Sequence, residues 1–289
     1  MKNWASLLGM AALLAGCGTP NSKVEPVRPL GTSAPAASSG SQADPLGAKP
    51  EPAMPAPFVP PAPIVYSAGG FLNVWLLERH ALPVVAVNLV VTRGAASDPE
   101  GKGGLAKATA GMLDEGAGKR GSLDIARDID LLGATLSTNA YADYSLVSLH
   151  SLKKNLPAAM AIFSDVVMHP TFPEKEWART HALLLADLKA AEKDPEDVSE
   201  VVALRTLFGA KHPYGHPNDG TVQSASRFTL DDAKRFYSEA WRPDHGTLVV
   251  VGDITRAELD AMLATSLREW KPPHSQSPLQ LAPLPDPVS

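Results

Sequence analysis

The chain has 289 residues, 44% of them hydrophobic, a single Cys, and a formal net charge of −5 from 26 Lys+Arg against 31 Asp+Glu. The mild acidity excludes the basic footprint of a nucleic-acid binder, and one Cys excludes a disulfide scaffold. Of the 27 Pro, 12 fall between Pro20 and Pro63, six between Lys271 and Ser289, and nine in the 207 residues between, so one domain's worth of core lies between two segments that cannot pack one.

The first segment opens Met1-Lys2-Asn3, continues with an apolar run from Trp4 to Ala15 and reaches Leu14-Ala15-Gly16-Cys17. A positive start, an apolar stretch too short to span a bilayer and small residues before a cleavage point describe a secretory signal peptide over 1–16. Its end resembles the lipobox of bacterial lipoproteins, which implies cleavage before Cys17 and acylation of that residue; a free thiol after an ordinary signal peptide is the alternative. Several acyl chains exceed the single chain that attaches only marginally. Gly18 stands where an Asp would suggest inner-membrane retention. The expected address is therefore the cell envelope, lipid-anchored in the outer membrane and facing the periplasm. Residues 17–63, rich in Pro, Ala and Ser, cannot offset their ordering entropy by burial and read as a disordered stalk.

Phe71–Glu78 and Val84–Arg93 are apolar, β-branched runs separated by Arg79-His80-Ala81-Leu82-Pro83, a pattern that predicts a hairpin. The second run is almost wholly apolar, which predicts a central strand. Gly101, Gly103 and Gly104 lead into a helix predicted from Leu105 to about Glu115, and Ser122 is the expected N-cap of a helix that stops at Gly133. Strands are predicted at Ala134–Tyr141 and Tyr144–Leu152. Helices follow at Leu156–Met168, from Pro173 to about Lys193, and at Glu196–Phe208. A helix capped by Thr229, a strand at Gly246–Gly252 and a helix from Thr255 to Trp270 complete the folded region, 64–270. Strands in adjacent pairs with helices in blocks predict an α+β fold, a mixed, largely antiparallel sheet with helices packed on one face. The tail, 271–289, is Pro-rich.

The stretch Gly104-Leu105-Ala106-Lys107-Ala108-Thr109-Ala110-Gly111-Met112-Leu113-Asp114-Glu115-Gly116 resembles the N-terminal domain of the insulinase-like M16 metallopeptidases, whose first helix carries His-x-x-Glu-His. Arg93-Gly94-Ala95, Leu132-Gly133-Ala134, His212-Pro213-Tyr214-Gly215-His216-Pro217 with Gly220-Thr221, and Val249-Val250-Val251-Gly252-Asp253 follow in the family's order. In that motif two His on one helix face bind zinc and the Glu takes the proton of the zinc-bound water. The resemblance places Lys107 at the first His, Ala110 at the Glu, Gly111 at the second His and Asp187 at the later Glu ligand. One carboxylate survives, with no base, and an ammonium replaces a ligand. The expectation is a pseudopeptidase with no cofactor and its zinc site lost; Asp187 then reads as a helix-surface carboxylate.

Other candidates are weaker. His212 and His216 are four apart, but Pro213 and Pro217 deny them a helix, and the family uses the stretch as a structural loop. Trp177, His181, Leu184 and Leu188 recur at helical spacing and read as a core stripe. There is no nucleophile elbow and no P-loop. The resemblance also implies that an extended substrate adds to the edge of the strand Ala134–Tyr141, with Asn139 and Ala140 at the contact; an ordinary edge strand blunted by polar residues is the alternative.

Family subunits carry two copies of this unit, and many work as heterodimers in which one subunit holds the zinc motif. The resemblance therefore implies a single half-unit that pairs with a catalytic M16 homologue and helps to enclose extended peptides, tethered to the membrane by its lipid anchor. A stand-alone envelope lipoprotein that binds extended peptides or proteins at its sheet edge is the rival reading. An active zinc endopeptidase is disfavoured by the absent ligands.

Overall fold

The computed structural model describes Pro57 and residues 59–272. The signal peptide, Cys17, most of the stalk and the tail beyond Pro272 lie outside the described residues.

Alternating strands supply the sheet's inner face. β1 (Ile64–Ala68) precedes β2 (Leu72–Glu78), which buries Leu72, Val74 and Leu76, and β3 (Val84–Val91), which buries Val85, Val87, Leu89 and Val91. After α1 (Leu105–Ala110), the ribbon of β4 (Gly116–Ala117) and β5 (Arg120–Gly121), and α2 (Ser122–Leu131), the chain adds β6 (Thr135–Ala140) and β7 (Ser145–Leu152). Period-two burial is what a sheet with one covered face imposes. Helices α3 (Leu156–Met168), α4 (Glu174–Ala191), α5 (Pro195–Phe208), α6 (Val222–Ala225) and α7 (Leu230–Ala240) come next, then β8 (Gly246–Gly252) and α8 (Arg256–Ser266). Six strands form one sheet in the order β1-β2-β8-β3-β7-β6, antiparallel except for the parallel pair β2–β8. α3 anchors the helical layer: Met160, Phe163, Val166 and Val167 are each at most 1% exposed, and burying each contributes about 1.5–3 kcal/mol.

The α+β architecture and the central place of β3 are as the sequence predicts. The caps hold too: Thr229 and Thr255 accept the amide N–H of Asp232 and Glu258, and Gly133 turns through φ +59°. Several expectations need correction. β2 and β3 are not a hairpin, because β8 inserts between them, and Arg79 N–H and Val84 C=O bond Gly252 and Asp253 instead of each other. β1 escaped notice because it follows a run of Pro; Gly69 and Gly70, both at positive φ, fold it back onto β2. α1 is one short helix ending at Gly111, not a run to Glu115. Gly121, not Ser122, is the N-cap of α2, and the Asp124 carboxylate accepts its N–H at 3.2 Å. The last helix stops at Ser266, and the chain returns so that Trp270 packs in the core with its indole N–H on Trp241 C=O.

Candidate functional site

α1 owes its position to the segment before it. The Asp98 carboxylate accepts the main-chain N–H of Gly104 at 2.6 Å and of Ala106 at 2.7 Å, so the first turn is capped from a distance. Burial pushes the Asp98 carboxyl up to about 8, against the pull of those N–H donors. Gly104 sits at φ +99°, and a Cβ there would fall 2.4 Å from Asp219 O. Gly220, at φ +78°, would place a Cβ 2.0 Å from Gly103 O. Ser224 Oγ donates to Gly103 O at 2.7 Å. Main chain against main chain, the loop that follows His216 is therefore locked on the start of α1. His216 packs its ring on Gly103, and His212 accepts the Tyr214 N–H and stacks 5.5 Å from Phe208. The two histidines thus have separate structural contacts.

This loop delivers Asp219 to Lys107. The Lys107 ammonium donates to Asp219 Oδ1, a partner that sequence reasoning missed because nothing local marks an acidic loop residue as the mate of a helix residue so remote. Ala110, one turn on, is wholly buried, and Gly111 closes the helix with only helix carbonyls near the position of a Cβ. Asp187 lies exposed on α4, whose apolar stripe follows the sequence reading: Trp177 stacks on His181, His181 bonds Ala225 O at 2.8 Å, and Leu188 is buried. An ammonium already neutralised by a carboxylate, a buried methyl group, a glycine and an exposed Asp do not fit a zinc ion. Among the described residues, no group of three or more His, Cys, Asp or Glu is placed to hold a metal.

The other element of the site is β6, an outer strand of the sheet. Tyr141 N–H bonds Tyr144 O, so strand alternation turns the main-chain groups of Thr135, Ser137 and Asn139 toward β7 and those of Leu136, Thr138 and Ala140 off the edge. Ala140 is 3% exposed, its N–H is taken by its neighbour's Asn139 Oδ1 at 2.9 Å, and the strand end is covered by Ala95 and Ala96, which donate to Tyr141 and Ala142. The sequence reading placed the contact at Asn139 and Ala140; the open stretch lies earlier, at Leu136–Thr138. It borders a groove of about 660 Å³ floored by Ile125, Ile129 and Leu136 and walled by Asp114. Arg179 spans the wall, pairing with Glu115 at 2.5 Å and Glu176 at 2.8 Å. Burial, with Glu115 alongside, raises the Asp114 carboxyl above the usual range.

Comparison with known proteins gives a consistent picture. The model of the insulinase family, peptidase family M16, matches residues 74–215, and that of the peptidase M16 inactive domain matches 227–288. An uncharacterized zinc protease of Mycobacterium leprae is 26% identical over 190 residues, 65% of this chain and 42% of that protein. The non-peptidase homolog YmxG of Helicobacter pylori is 24% identical over 177 residues, 61% and 41% of the two chains. The chain thus spans less than half the length of these curated relatives. Among solved structures, the peptidase M16 inactive domain from Pseudomonas fluorescens superposes with a TM-score of 0.72 at 27% identity, covering 78% of this chain and 54% of that one. The periplasmic protease PqqL of Escherichia coli shares the fold, with a TM-score of 0.69 at 17% identity over 77% of this chain and 25% of its own.

Proposed function

Because the chain belongs to the insulinase-like M16 peptidase family, we propose that it is a non-catalytic member, a pseudopeptidase without zinc that partners a catalytic M16 peptidase and helps to enclose peptide substrates. The observation that carries this reading is the Lys107–Asp219 ion pair at the position of the first zinc ligand. Losing a general base alone lowers a rate by about 10²–10⁴-fold, and here the Glu position is Ala110. The match to an inactive-domain model and the likeness to a non-peptidase homolog support it. Attachment through acylated Cys17 would hold the domain at the periplasmic face of the outer membrane. Metal analysis of the purified full chain should find no stoichiometric zinc, and mixing it with an intact M16 peptidase should form a complex and raise that peptidase's activity. Stoichiometric zinc with hydrolysis by the chain alone overturns the reading.

A second reading rests on the open main-chain groups of Leu136 and Thr138 beside the groove. A stand-alone envelope lipoprotein would use them to bind an extended peptide as an added strand. Titration of unstructured peptides against the full chain and its Thr138→Pro variant separates the cases. Saturable binding that the variant loses supports this reading, and no binding to either rejects it.

A further inference from the structure

The helices join one face of the sheet, and the opposite face carries a second apolar surface. Across the register Val65↔Trp75↔Val249 and Leu77↔Val251↔Ala86, side chains project away from the inner face. Trp75 is 47% exposed and Val65 60%. None of these six residues belongs to the hydrophobic cluster that the helices complete. A large apolar patch on a sheet, with a Trp near its centre, is the composition of an interface core.

We propose that this face is an isologous interface with a second copy of this chain. Two observations favour a copy over a different partner. First, the three outward rows that begin at Ser67, Val65 and Leu77 and run across to β6 contain no Lys, Arg, Asp or Glu. In a two-fold contact every charge meets its own patch, so a face without fixed charge is compatible with itself and gives a foreign partner no charge pattern to match. Second, six strands about 4.8 Å apart, each presenting two to four outward residues, make a face of roughly 600 Å², approaching the ~800 Å² per partner of a standard interface. Sheets that pack face to face align within about 30° and enclose a core about 10 Å thick. The contact leaves the β6 edge and α1 uncovered, so it stands apart from the function proposed above.

Sedimentation of the full chain in mild detergent tests the interface. The expected result is a species of twice the monomer's protein mass at micromolar concentration. Trp75→Glu should raise the dimer dissociation constant at least ~30-fold, as loss of a hot-spot residue does. Val65→Lys, on the outer strand β1 where folding is least at risk, should weaken it in the same direction with the circular dichroism spectrum unchanged. A wild-type monomer, or a dimer insensitive to both changes, overturns the proposal. So does a monomer that associates only when an intact M16 peptidase is added, a result that assigns the face to that partner.

Discussion

Lys107 and Asp219, 112 residues apart in sequence, form an ion pair beside the first turn of α1. In the function proposed above the pair stands where a metallopeptidase would place its first ligand, and it depends on the contact between the Gly103–Gly104 turn and the loop through Gly220. Both side chains are partly exposed, at 40% and 48%. Solvent screening keeps such a pair to about 1 kcal/mol or less. On the proposed reading its effect is on chemistry more than on stability: it supplies a cation, already satisfied, where a metal would need a lone pair.

Restoring the lost motif should therefore fail. Ala110 is 0% exposed, so Ala110→Glu must bury a carboxylate and displace its neighbours, at a cost of about 3 kcal/mol or more. Gly111→His places its Cβ at ordinary contact distance, 3.5 and 3.8 Å, from the Lys107 and Ala108 carbonyl oxygens and should shift stability by under about 1 kcal/mol. Urea denaturation of the two variants and of the combined Lys107→His, Ala110→Glu, Gly111→His change should show that order, with no zinc retained after dialysis.

Gly220→Ala should be among the most damaging single-methyl additions. It adds a Cβ at φ +78°, 2.0 Å from Gly103 O, and the combined strain and displacement should cost roughly 2–3 kcal/mol. Gly133, also at positive φ but with nothing within 4 Å of its Cβ position, provides the control. Gly133→Ala should cost only about 1 kcal/mol. Equal losses would mean that the loop contact is not rigid.

Asp98 gives the site a pH signature. Its carboxyl is raised to about 8 in the fold, against about 3.9 in an unfolded chain. Between those values the folded state holds a proton that the unfolded state releases. Its contribution is thus full below about pH 4 and is lost as pH rises through about 8. Asp98→Asn lacks this titration. The stability difference between wild type and variant should drift against the wild type from pH 4 to 8, and a flat difference would refute the assignment.

Proline scanning of β6 reads its register directly. Asn139 turns its main chain toward β7, so Asn139→Pro removes a ladder bond and should cost about 2 kcal/mol. Thr138 turns its N–H off the edge, and Thr138→Pro should cost under about 1 kcal/mol. A thermal melt distinguishes the two, and the reverse order would mean that the strand has slipped by one residue.

Much of this was legible in the chain. The apolar run Val84–Val91, the Thr caps at 229 and 255 and the Gly stop at 133 are local signals, and each describes its element correctly. The assignment of Lys107, Ala110 and Gly111 to the motif's positions rests on the family resemblance. What stayed hidden is non-local. No pattern within Leu72–Glu78 says that its neighbour is Gly246–Gly252 rather than the next strand, because pairing partners are chosen by the whole sheet. Nothing local marks Asp98, Asp114 and Asp219; the fold sets them at a helix start, a groove wall and a lysine.

The parallel pair β2–β8 has a consequence in time. Among the described residues β8 is the last strand along the chain, yet it lies between β2 and β3, bonded to both. Until Gly252 is present, β1–β2 is a ribbon detached from β3–β7–β6, and two apolar strand edges stand open. Pairing across such a sequence gap is slow, and unpaired edges in the meantime invite aggregation. In a growing chain the sheet thus stays in two parts until Gly246–Gly252 arrives to join them.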